Sequence, residues 1–246
     1  MKTTTFKTIR LRNYLALLAT VLVLFSCKKE EEEDLSTGFS DDIENFVPDS
    51  TIQALRDLGM AINEGKEPPL LEGTYLASPY VMVSSNVPNE SYDIGERFVD
   101  YKHYLKNQNN ETLTIEMDRE GINYYSGAII SKSTGNGAFI SGYNDDFTAF
   151  VILEGERYLS AGDTSYSRTL HVISGTIAQE GIQEFQSALL MLDDYGDEFD
   201  HYIPVNTGRV FHDEDSIAYR EGFGMSKKAT FIYDEKLMSI PSSLSE

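Results

Sequence analysis

From Gly73 onward, turn-forming residues interrupt the chain roughly every 8–14 positions, a spacing that leaves room for strands but not for long helices. Leu113, Ile115 and Met117 alternate with Thr114, Glu116 and Asp118, the pattern of a strand with one buried face. Asn109-Asn110 before it and Glu120-Gly121 after it are turn chemistry. Gly135-Asn136-Gly137 predicts a further turn leading into a strand over 138–143, and Asn144-Asp145-Asp146 reverses the chain into a strand over 147–154. Strands over 164–178 and 182–192 follow, joined at Glu180-Gly181, and 205–212 and 229–233 finish the series. Fifteen Tyr and thirteen Phe suit such strands. The expected fold class is all-β, an antiparallel β-barrel over residues 73–246, with a β-sandwich as the alternative. Residues 147–153 are apolar on both faces, so another element must cover them from outside.

Residues 48–72 supply a candidate cover. Asp49 or Ser50 is placed to cap a short helix after Pro48, with Ile52, Leu55 and Leu58 on one face and Gly59 at its end. A helix of that length does not stand alone and must dock on the body. The loop runs on to Pro68-Pro69. Gly59 to Lys66 is not a phosphate loop, because five residues separate its glycines and Glu67 replaces the magnesium-binding hydroxyl.

The N-terminus is of another kind. Lys2, Lys7, Arg10 and Arg12 precede an apolar core over 14–25, too short to span a bilayer that needs about 20 apolar residues. Leu24-Phe25-Ser26-Cys27 resembles the lipobox of a bacterial lipoprotein signal peptide, which implies cleavage after residue 26 and acylation of Cys27, the single cysteine, with chains of the palmitate type. Lys28-Lys29-Glu30-Glu31 and the acidic residues after it resemble the export signal of Bacteroidetes surface lipoproteins. Localisation on the outer membrane, lipid-anchored and facing the cell surface, is what this implies. Residues 27–47, acidic and poor in apolar side chains, are expected to form a disordered tether reaching roughly 22–26 Å.

Without the four basic residues of the leader, the formal charge of −20 becomes −24. Nucleic-acid binding rests on neutralising phosphates with Lys and Arg, so nucleic acid is excluded as a partner. With Cys27 acylated, no disulfide framework and no thiol chemistry remain.

Several segments resemble a group of uncharacterised Bacteroidetes surface lipoproteins with a lipocalin-like domain. They are Gly59-Met60-Ala61-Ile62, Gly65, Pro68-Pro69, Gly73-Thr74-Tyr75, Ile140-Ser141-Gly142, Phe147-Thr148-Ala149-Phe150, Val172 to Ile177 and Gly208-Arg209-Val210-Phe211. The resemblance implies an eight- to ten-stranded barrel. Lipocalins open with Gly-x-Trp and stack a late Arg across that Trp. Here Tyr75 and Arg209 would form the stack, although the chain has no Trp.

No catalytic constellation is legible. His103, His171, His201 and His212 are far apart and form no metal-binding spacing. His103 and His171 fall in predicted strands, where exposed or hydrogen-bonded histidines are the expected reading. Asp193 to Asp200 fails the calcium-loop spacing. No catalytic residue, metal or cofactor is assigned. Ser50 and Ser216 sit in Asp-Ser-apolar patterns that resemble Bacteroidetes O-glycosylation sites. The expected function is a binding module for a small apolar molecule or a glycan, with Tyr75, Tyr101, Tyr124 and Tyr143 at a barrel mouth. The alternatives are a structural or interaction lipoprotein with a filled barrel and a surface polysaccharide hydrolase. Oligomeric state is open.

Overall fold

Strand alternation fixes which side chains face inward, and among the described residues eleven strands use it to build one sheet. The computed structural model describes residues 34–159 and 162–222. The leader, Cys27, Lys28, Lys29, Glu30, Glu31 and the expected strand over 229–233 therefore lie outside the described residues. Two short helices, α1 (Asp41–Phe46) and α2 (Asp49–Asp57), precede the strands. These are β1 (Lys66–Glu67), β2 (Gly73–Ala77), β3 (Tyr80–Ser85), β4 (Asp100–Asn109), β5 (Thr114–Ile122) and β6 (Ile129–Tyr143), followed by β7 (Asp146–Tyr158), β8 (Thr164–Ile177), β9 (Gly181–Asp193), β10 (Gly208–Asp213) and β11 (Ile217–Arg220).

Antiparallel pairing runs β11-β2-β4-β5-β6-β7-β8-β9, and β11 also pairs with β9, which closes these eight strands into a ring. β9 serves two partners: residues 186–190 pair with β10 and residues 181–183 with β11. β3 lies beyond β10. The chain is thus all-β with one continuous sheet, and the two-sheet alternative is set aside.

Several expected features are corrected. Glu120-Gly121 lies inside β5 and pairs with β4 and β6 rather than forming a turn. Gly135-Asn136-Gly137 is not a turn but part of the 15-residue β6, which shifts register against β7 between Thr134 and Phe139. A Cβ at Gly135 would stand 2.6 Å from Val151 Cγ1 and 2.7 Å from the Ile152 carbonyl oxygen, so the glycine permits close strand contact rather than a reversal. The tether is also shorter than expected. Residues 35–47 fold onto the body, with Ser40 capping α1 through the Ile43 amide and acidic residues in the first turn, where the helix dipole favours them. Ile43 and Val47 are buried. The acidic run masked an apolar face at helical spacing.

α2 follows Pro48 as expected, and Gly59 ends it with φ +87°. Neither Asp49 nor Ser50 caps it. Both lie inside the first turn, and the Pro48 carbonyl accepts from the Thr51 and Ile52 amides. The two helices cover the sheet where its outer face is apolar. Ile43, Val47, Ile52, Leu55 and Met60 pack on Phe150, Leu170, Val172, Ala188 and Val210. Phe150 points outward, while Phe147, Ala149, Val151 and Leu153 point into the ring. This explains why 147–153 is apolar on both faces.

Candidate functional site

The inside of the ring is occupied by side chains. Tyr75, Met82, Leu105, Ile115, Met117 and Phe185 are buried there among others. Tyr80 stacks on Phe211 at 4.6 Å and meets Tyr101 edge-on at 5.0 Å, and its hydroxyl pairs with Ser187. Burial holds that phenol well above its ordinary pKa.

Within this interior lies a polar layer. Alternation places Tyr101, His103 and Leu105 on the inner face of β4, and Ile115, Met117 and Arg119 on that of β5. His103 and Arg119 are directly paired across β4 and β5. His171 reaches in from β8; its ring stacks on that of His103 at 5.6 Å and 15°. Arg119 Nη1 lies 3.2 Å from His171 Nδ1, and the guanidinium sits 4.2 Å above the Tyr101 ring. Both histidines are fully buried; His171 is hydrogen-bonded through Nδ1, in line with the expectation, whereas His103, with no partner at either ring nitrogen, departs from it. Burial first, then the Arg119 charge, holds His103 at about 3, and the same causes with His103 added push His171 well below 6.5. Both imidazoles are therefore neutral. The layer was legible in part: the alternation through Met117, extended two residues, places Arg119 inside.

The four candidate tyrosines do not share one mouth. Tyr75 is fully buried, its hydroxyl donating to the Leu71 carbonyl at 2.9 Å. Tyr101 lies inside the ring, Tyr124 is half-buried in the β5–β6 connection beneath Arg97 at 4.1 Å, and Tyr143 is exposed at the opposite end, as the last residue of β6. The expected stack forms with a different arginine. Arg220 lies 5.0 Å over Tyr75 and donates to its hydroxyl at 2.6 Å, because β11 pairs with β2. Arg209 sits on β10 instead. It holds Glu90 by two bonds of 2.7 and 2.8 Å and faces Tyr92 and Phe98. Desolvation pushes Glu90 upward, but the bonds from Arg209 and Ser85 prevail and hold it at about 2.

Exposed aromatic and apolar residues concentrate at one end of the ring. Tyr92, Ile94, Tyr125, Tyr166, Tyr195 and Phe199 belong to the β3–β4, β5–β6, β7–β8 and β9–β10 connections or the adjoining strand ends. On the outer wall near this end is an open groove of about 630 Å³. Lys132, Thr134, Glu154, Glu156, Tyr166 and Tyr195 line it. Even spacing on β6, β7 and β8 turns the first five outward, and Tyr195 reaches the groove from the β9–β10 connection. Tyr195 donates to Glu154 at 2.9 Å, and Arg168 pairs with the other oxygen of the same carboxylate at 3.2 Å, so this part of the wall is held in place. The bond to Glu154 raises the Tyr195 pKa.

The acidic loop binds itself. Asp193, Asp194 and Asp197 accept from the amides of Tyr195, Gly196, His201 and Tyr202. Among the described residues, no group of three or more His, Cys, Asp or Glu is placed to hold a metal, and no helix is long and apolar enough to cross a membrane. Ser50 and Ser216 are both exposed. Comparison with protein-family models, curated proteins and solved structures returned no match.

Proposed function

We propose that this protein is a lipid-anchored outer-membrane lipoprotein, displayed at the cell surface, that binds a glycan in the outer groove of β6, β7 and β8. The observation that carries the reading is the groove itself. It sets two exposed tyrosines, flat apolar faces for a sugar ring, beside the carboxylates of Glu154 and Glu156, the ammonium of Lys132 and the hydroxyl of Thr134, which suit its hydroxyl groups. A glycan fits better than a small apolar ligand, because the ring interior is filled with side chains. Binding fits better than hydrolysis. A glycosidase acid needs a carboxyl kept protonated, whereas Glu154 is 55% exposed and paired with Arg168.

The test is a glycan array probed with the purified chain, followed by calorimetry on any sugar that binds. A Tyr166→Ala/Tyr195→Ala variant should weaken binding about tenfold or more, at roughly 0.5–1.5 kcal/mol per aromatic contact. Unchanged affinity in a folded double variant, or no glycan bound at millimolar concentration, refutes the groove. Anchoring is tested separately: Cys27→Ser should abolish incorporation of labelled palmitate, and protease treatment of intact cells should remove the domain. Full protection of the domain refutes surface display.

A further inference from the structure

The polar layer inside the ring has a different chemistry from the groove and stands independently of it. An arginine side chain only donates, so the contact between Arg119 Nη1 and His171 Nδ1 makes Nδ1 the acceptor. His171, being neutral, then carries its proton on Nε2. That Nε2–H has no partner among the described residues, and neither does Arg119 Nε–H. His103 has no partner at either ring nitrogen, and one of the two must bear a proton. Three buried donors thus lack acceptors, around Arg119, a residue only 7% exposed. No carboxylate among the described residues forms an ion pair with it. The Tyr101 face offsets part of the charge. Water could accept from the donors but would leave the charge uncompensated. A buried cation with surplus donors calls for an anion.

We propose that Arg119, His103 and His171 form an interior anion site that takes a carboxylate. The guanidinium supplies the charge and its free Nε–H, and the two imidazoles supply further N–H donors. Phe185, with its ring centroid 5.4 Å from that of His103, packs against one side of the site. The filled interior favours a small carboxylate.

The experiment is a titration of the full chain, labelled with nitrogen-15 at arginine and histidine, with sodium formate and with sodium octanoate, using sodium chloride at matched ionic strength as reference. The Arg119 Nε–H and His171 Nε2–H resonances should shift and saturate with at least one carboxylate. Comparing the two shows whether the carboxylate is free or heads an alkyl chain. Arg119→Met should weaken that binding at least tenfold, and Arg119→Lys should retain more of it. No saturable shift with either carboxylate, or one no different from that with chloride, overturns the proposal. So does unchanged affinity in a folded Arg119→Met variant. The wild-type titration decides the matter even if the variants fail to fold.

Discussion

Acidification should destabilise this fold through two buried histidines. His103 is held at about 3 and His171 well below 6.5, both chiefly by burial and then by Arg119. In the unfolded chain both return to about 6.5. Between those values the unfolded state binds more protons, so the histidines' contribution is fully present above pH 6.5 and lost as pH falls toward the folded values. For His103 the loss is about 1.4 kcal/mol per pH unit, so from pH 6.5 to 4.5 it removes roughly 2–3 kcal/mol, and His171 adds a loss of the same sign. That is a large share of the roughly 5–15 kcal/mol that stabilises a domain. Net charge acts in the opposite sense, because approaching the pI of about 4.5 relieves self-repulsion. The assay is urea unfolding followed by circular dichroism, in buffers free of carboxylates, for the wild type and for His103→Phe/His171→Leu. The wild type should lose stability over this window, and the variant should hold level or gain. Parallel losses in both proteins would refute the reasoning, since the acid-sensitive groups would then lie elsewhere.

Other outcomes follow from the packing. Ile43→Ala should cost about 2–5 kcal/mol in urea unfolding, because Ile43 is fully buried against the sheet; a cost under about 0.5 kcal/mol would return 35–47 to the status of a tether. Arg220→Met should cost about 1–3 kcal/mol by removing the bond to the buried Tyr75 hydroxyl, whereas Arg209→Met should chiefly speed amide exchange in the β3–β4 connection by freeing Glu90; the reverse pattern would restore Arg209 as the structural arginine. Gly65→Ala should destabilise by about 1–3 kcal/mol or more, since φ is +123° and a Cβ would stand 2.5 Å from the Gly142 carbonyl oxygen; a neutral result would mean that β1 does not need to approach β6 this closely.

Local rules read directly from the chain placed β8 and β9 close to their observed bounds and located the starts of β5 and β7, because alternation and turn residues act over a few neighbouring positions; both of the latter strands run on past their expected ends. They also anticipated that another element must cover 147–153, with the short helix after Pro48 as the candidate. The same rules misread 135–137, where a glycine serves a neighbouring strand, and 35–47, where acidic residues that suit a helix N-terminus looked like a solvated tail. Part of the candidate site was within reach. Extending the β5 alternation by two residues places Arg119 inside the ring, and His171 follows from the inward phase of β8.

What the sequence determined by itself is the β class, the strand phase and the need for an outer cover, all consequences of spacing along the chain. Only the tertiary structure decided which distant positions meet. Ring closure through β11 brings Arg220, not Arg209, onto Tyr75. The same closure sets His171 against His103 and Arg119 across the interior. Strand order and register are cooperative properties of the whole sheet, so no local pattern encodes those meetings one pair at a time.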